Sequence, residues 1–340
     1  MIDSVLDFLS SYMFLIVGVV KAGVIAVALL SMVPLLVWLE RRLMGRFQVR
    51  LGPNRVGPMG LGQPIADSIK LLFKESIVQN SADKFLFFLA PSIVVFTAIV
   101  TFSVIPFGEA VEVGGQTIGL WGADLNIGIL FIFAISSMGI YGIVIAGFSS
   151  NNKYSLMGGL RSSAQMISYE LTLGLTALAV VVTAGSLNLV EIVNSQSTLP
   201  NFIYHPLTFL LFFIAGVAET NRAPFDLPEA EQELVAGFFT EYSGMKFAMF
   251  FMGEYINMIT MSALVTLLFL GGWHSYIGLD IPILVFAAKV FLLLCVFIWL
   301  RSTFPRIRYD RLMTFGWKIL LPIAMLNMFF YSVVKVLWPA

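Results

Sequence analysis

The chain has 340 residues, 59 % hydrophobic and 12 % charged, with 20 basic residues balancing 20 acidic ones. Soluble domains carry about 25 % charged residues, so this composition and a mean hydropathy of +0.91 predict an all-α polytopic membrane protein with the lipid bilayer as its solvent. Zero net charge gives no footing for a nucleic-acid partner, and no polar segment is large enough for an extra globular domain beside one transmembrane domain over 1–340.

The lone cysteine, Cys295, cannot form an internal disulfide. Without a Cys/His cluster, the chain is not expected to carry an iron–sulfur cluster or a metal. No GxxxxGK[ST] or GxGxxG stretch is present, which argues against an ATP-driven mechanism.

A helix crosses a bilayer core with roughly 20 apolar residues. Eight runs read as spans, at 12–38, 85–105, 127–148, 163–184, 203–219, 245–270, 281–300 and 315–337. Asp3 and Asp7 open the chain with no basic region, so a cleaved signal is not expected. Pro34 predicts a kink near the end of the first span.

The 40–84 connection follows. Its start, ERRLMGRFQVRLGPNRVGPMGLGQP, contains Gly52-Pro53-Asn54 and Gly57-Pro58, which dictate turns. In PIADSIKLLFKE, Ile65, Ile69, Leu72 and Phe73 fall at i, i+4, i+7 and i+8, with Asp67, Lys70 and Lys74 elsewhere. That spacing predicts a short amphipathic helix at the membrane interface. It either roofs a cavity or docks a partner, or it is a simple interfacial anchor.

The placement of Lys and Arg sets the orientation. The 40–84 connection and those at 149–162, 220–244 and 301–314 hold nearly all of them, including Arg41, Arg42, Arg50, Arg161, Arg222, Arg301 and Arg306. The opposite connections, 106–126, 185–202 and 271–280, hold Glu109, Glu112, Asp124, Glu191 and Asp280 and no cation. The basic side is therefore expected in the cytoplasm (the matrix, in a mitochondrion), with both termini on the periplasmic side.

The 219–244 stretch concentrates acid. It holds Glu219, Asp226, Glu229, Glu231, Glu233 and Glu241, with Arg222 its only cation. Like charges repel and burial disfavours ionisation, so some of these carboxyls are expected to titrate high, as a proton path requires. The alternative is a solvated acidic loop that caps helix ends.

Inside the spans, Glu170 is read about eight residues in, on the order of 12 Å deep. Glu254 lies at similar depth in span six, and Glu219 at the inner end of span five. Three acids on three helices predict one polar line, with Lys289 as a possible continuation; a structural ion pair is the alternative for each. Lys21 has no evident partner. Trp38, Tyr141, Trp273, Trp299, Trp317 and Trp338 are read as belt anchors, and His205 and His274 as interfacial residues.

Four stretches together resemble one family: LERRLMGRFQVRLGPNRVGPMG (39–60), GLGQPIADSIKLLFKE (60–75), PFDLPEAEQELVAG (224–237) and WLRSTFPRIRYDRLM (299–313). They look like the H-type subunit of bacterial NADH:quinone oxidoreductase, respiratory complex I, whose mitochondrial counterpart is NADH dehydrogenase subunit 1. The similarity runs over nearly the whole chain in long, ungapped motifs.

The resemblance implies an eight-helix component of a proton-translocating enzyme with no redox centre of its own. It would form the membrane end of a quinone tunnel and the start of a buried charge path. Quinone, with ubiquinone the expected type, is then the substrate, while flavin and iron–sulfur clusters belong to other subunits. The implied partners are the soluble quinone-side iron–sulfur arm and the neighbouring small and antiporter-like membrane subunits. The implied location is the bacterial inner membrane, or alternatively the mitochondrial one.

Carried over by position, Glu40, Arg41, Arg50, Asp67 and Arg301 resemble quinone-cavity residues. Asp226, Glu229, Glu231 and Glu233 resemble the acidic loop facing that cavity, and Glu170, Glu219 and Glu254 the buried carboxylate path. A stand-alone ion-coupled transporter, the related membrane component of energy-converting hydrogenases, and an inert anchor for a soluble arm are the competing readings.

Overall fold

In lipid every backbone N–H and C=O needs an internal partner, so long apolar runs close into helices. The structure, a computed structural model, describes residues 2–109, 111–113, 116–226, 235–276, 278 and 281–337. The long helices are α1 (Ile2–Phe47), α3 (Lys84–Ser103), α4 (Gly128–Ser149), α5 (Lys153–Ala184), α9 (Met245–Phe269), α10 (Pro282–Thr303) and α11 (Tyr309–Leu337). All seven are long and apolar enough to cross a membrane. Shorter helices lie between them: α2 (Gln63–Phe73), α6 (Leu189–Asn194), α7 (Asn201–Tyr204) and α8 (Pro206–Glu219). The eighth expected span is α8. Its 14 residues extend about 21 Å, short of the roughly 30 Å hydrocarbon core.

Several helices outrun their apolar cores. α1 passes through Pro34 without a break and continues through ERRLMGRF, so residues 40–47 are helix rather than loop. α5 begins at Lys153, ten residues before the expected start at 163. The Asn152 side chain accepts the Tyr154 N–H at 3.0 Å, and the glycines after it permit close packing. A Cβ on Gly158 would lie 2.6 Å from the Gly237 Cα, so the polar-looking start of α5 is packed into the bundle. Glu170 is consequently 17 residues from the helix start, near mid-helix rather than about eight residues in. α11 starts at Tyr309 and carries one π-helical turn at Gly316–Leu320. Among the described residues, which are otherwise helical or loop, an antiparallel hairpin pairs Val111–Val113 with Gln116–Ile118.

α9 is the central helix: 78 % of its apolar window is buried, against 17 % for α1. It packs on α3, α10, α1 and α8, while α4 packs on α3 and α5 joins α4 to α8. Val94 of α3 wedges between Gly142 of α4 and Gly253 of α9, where added Cβ atoms would come within 2.6 Å and 2.5 Å of it. Small residues thus bring α3, α4 and α9 together beside the buried acids.

Lys21 and Lys289 hold backbone. Lys21 donates to the Gly119 carbonyl at 3.1 Å, which ties α1 to the hairpin strand end. Lys289 donates to the carbonyls of Leu270, Gly272 and His274 at 2.7–2.9 Å. It thereby closes the open end of α9 instead of extending the carboxylate line. Trp273 is buried in the core, not a belt anchor, and His205 is buried against Tyr331 and Thr183. Trp299 and Tyr141 are exposed, Tyr141 near the middle of α4 rather than at its end, and Trp338 lies outside the described residues.

Replacing Lys289 with Met leaves three carbonyls of the 270–274 segment just past α9 without their charged donor. We expect a loss of about 1–3 kcal/mol, seen as a lower thermal unfolding midpoint in detergent. An unchanged midpoint would contradict the clamp.

Candidate functional site

A carboxylate near the end of a membrane helix is tolerated only where cations and donors surround it. Glu40, 3 % exposed, meets that condition. The Arg301 guanidinium of α10 donates to Oε1, and the Tyr255 hydroxyl of α9 donates to Oε2 at 2.5 Å. Arg222 lies 3.9 Å from Oε1, with its guanidinium 4.2 Å from the Tyr255 ring centroid. One carboxylate therefore joins α1, α9, α10 and the segment after α8.

That segment is the first part of the acidic loop, and it is buried rather than solvated. Gln165 of α5 donates from Nε2 to the carbonyls of both Ala218 and Phe225, at 2.8 Å each. The Asn221 amide donates to the Ser162 hydroxyl at 3.2 Å, and the Ile307 N–H donates to the Pro224 carbonyl at 3.1 Å. Asp226 accepts from Arg306 at 3.2 Å. These bonds fold 219–226 back into the bundle and aim Arg222 at Glu40.

The expected amphipathic helix is present as α2. Arg41 bonds Asp67 at 2.6 Å and Gln63 donates to the same carboxylate at 3.0 Å, which fixes α2 to α1. This ion pair is largely exposed, so it orients more than it stabilises. Ile65, Ile69, Leu72 and Phe73 are all exposed on α2, an apolar face turned away from this chain. Arg50 lies on the surface, bonded to Gln48 at 2.7 Å, and is not gathered with the others.

Glu170, Glu219 and Glu254 come together around two small cavities inside the cage of α3, α4, α5, α8 and α9. Thr97, Glu219, Asn221, Glu254 and Asn257 line the first, with apolar neighbours. Thr101, Ser136, Glu170, Glu219, Asn257 and Thr260 line the second. Glu219 lines both, is 8 % exposed, and has one carboxyl oxygen with no hydrogen-bond partner.

The two assemblies are neighbours in sequence as well as in space. Glu254 and Tyr255 are consecutive on α9, about 100° apart around the helix, and Glu219 precedes Arg222 by three residues. Sequence reasoning misses Tyr255 and Gln165, and finds Arg222 only as the lone cation of an acidic loop. A tyrosine beside an intramembrane glutamate is the signal that points to Tyr255, because a buried hydroxyl needs a partner. Glu229, Glu231 and Glu233 lie outside the described residues.

Comparison with known proteins matches residues 20–332 to the NADH dehydrogenase family. The H-type NADH-quinone oxidoreductase subunit of Protochlamydia amoebophila is 55 % identical, over 86 % of this chain and 89 % of its own. One of two such subunits of Geobacter metallireducens is 52 % identical, over 92 % and 94 %. The counterpart in Paramagnetospirillum magneticum is 48 % identical, over 96 % and 94 %.

Glu40→Gln leaves two guanidiniums facing a neutral amide and should cost about 3–5 kcal/mol. Tyr255→Phe removes one neutral donor and should cost about 1–3 kcal/mol. Thermal unfolding in detergent checks the order. An equal or smaller loss for Glu40→Gln would contradict the charge cluster.

Proposed function

The chain belongs to the NADH dehydrogenase family, and from that premise we propose that it is the quinone-side membrane subunit of a proton-translocating NADH:quinone oxidoreductase. It works in the bacterial inner membrane, with both termini on the periplasmic side. It acts with the soluble iron–sulfur arm and with neighbouring small and antiporter-like membrane subunits. Its substrate is a quinone, ubiquinone by expectation, and the electron carriers sit on those other subunits.

The observation that supports this reading is the Glu40 junction, which joins Arg301 of α10, Tyr255 of α9 and Arg222 of the loop after α8. On one side, α1 holds α2 through Arg41 and Asp67, and α9 stands against both helices. Together they frame an entrance whose apolar walls suit a quinone tail, while Glu40, Arg301 and Asp226 supply polar groups for the head. Glu229, Glu231 and Glu233 join that wall by family resemblance. On the other side, Arg222 and Tyr255 adjoin Glu219 and Glu254 along the chain.

Reduction of a quinone to quinol takes up two electrons and two protons. Charge appearing near the junction changes the field on Arg222 and Asp226. The 219–226 segment carries that change to Glu219, and from there to Glu254 and Glu170. A stand-alone transporter would need neither the α2 face nor the charge cluster at the junction.

In the assembled enzyme, Arg301→Ala should lower quinone reduction more than it lowers the amount of complex in the membrane. Loss of the complex itself would assign Arg301 a purely structural role. Glu219→Gln should impair proton translocation while the complex still assembles. Normal pumping and turnover in that variant would remove Glu219 from the path.

A further inference from the structure

The two cavities around the buried acids run in series. On α9 the first is lined by Phe250, Glu254 and Asn257, and the second by Asn257, Thr260, Met261 and Leu264. The same order holds on α3, where Thr97 faces the first and Thr101 the second. Each cavity has about 20 Å³, more than the roughly 10–15 Å³ that one water needs beside two to four polar partners. Glu254 ends the line at one cavity and Glu170 at the other. Glu219 and Asn257 form the wall common to both.

The hydroxyls in these walls are already committed as donors. Thr97 donates to the Ile93 carbonyl, Thr101 to Thr97, Ser136 to Phe133 and Thr260 to Ile256. They are left only to accept from water. Asn221 spends its amide N–H on Ser162. Asn257 differs: among the described residues its amide makes no hydrogen bond, so both its N–H donor and its carbonyl acceptor are available. It is the non-titrating group at the shared wall with both capacities.

We infer that Asn257 is the positioning residue that joins the two cavities, holding waters on either side of itself so that a proton passes between Glu254 and Glu170 by way of Glu219. As a proton leaves one carboxyl, each water in the line gains one O–H bond and gives up another, and the last delivers a proton to the next carboxylate. Nothing is consumed. The amide orients the waters and does not itself carry the proton. The inference rests on the proton-path reading above and adds the group that keeps the path continuous.

The test uses the intact complex in liposomes, with NADH-driven quinone reduction and proton uptake measured together. Asn257→Leu replaces the amide with an apolar group of similar shape. It should lower coupled turnover about five- to tenfold, the kinetic equivalent of one lost hydrogen bond. Asn257→Gln and Asn257→Ser, which keep a donor and an acceptor, should restore most of it, which a packing role would not produce. If Asn257→Leu does not assemble, Asn257→Ala supplies the same comparison. Glu219→Gln is run beside them. A defect in Glu219→Gln with normal coupling in Asn257→Leu overturns the role of Asn257 alone. Normal coupling in both overturns the path reading with it. Equal defects in the leucine, glutamine and serine variants overturn positioning in favour of packing.

Discussion

The buried Glu40 carboxylate is the constraint on which the inner half of the molecule depends. A lone carboxylate at 3 % exposure is costly, and this one is held by Arg301, Arg222 and the Tyr255 hydroxyl. Each partner comes from a different part of the chain. Satisfying one charge therefore fixes the ends of α1 and α10, the middle of α9 and the fold of the loop after α8. The Arg222 guanidinium over the Tyr255 ring adds a cation–π contact to the same node. Such a junction is a poor source of net stability. Its main effect is to specify one arrangement of four segments and to make that arrangement sensitive to charge nearby.

Under the proposed function, the segments that would carry that sensitivity to the buried acids adjoin the junction. α9 presents Tyr255 to the junction and Glu254 to the first cavity, and the short α8 ends in Glu219 just before the chain turns toward Arg222. Because α8 is too short to span, its end and the 220–226 segment sit inside the bundle rather than beyond it. Gln165 fastens both limbs of this turn from α5, the helix that also carries Glu170. The 219–226 segment is thus in contact with α5, α8 and α9 together.

Seven of the eight expected spans, the α2 amphipathic pattern and the proximity of the three intramembrane acids were legible in the sequence, because hydropathy and 3.6-residue spacing report burial directly, whereas the eighth run folds as the short α8. Helix ends were not. Arg41 and Arg46 read as loop but extend α1, since a helix leaving the membrane loses nothing by carrying charge. Gly158, Gly159 and Ser162 read as connection, yet small residues are what close helix packing uses. Lys289 looked like part of a charge line and instead clamps three carbonyls, a partnership that depends on the backbone path of 270–274. The roles of Tyr255 and Arg222 were hidden because their value lies in meeting Glu40 from more than 180 residues away.

Coupling between the junction and the buried acids is most directly tested by redox-induced infrared difference spectroscopy on the complex during quinone reduction. Transmission through the junction predicts a carboxylic acid C=O difference band that disappears in Glu219→Gln. The same band should lose amplitude in Arg222→Met, where Glu219 itself is intact. A band unchanged in both variants would contradict the account. It would mean that Glu219 keeps its protonation state through turnover and that the Glu40 cluster is only a structural fastening.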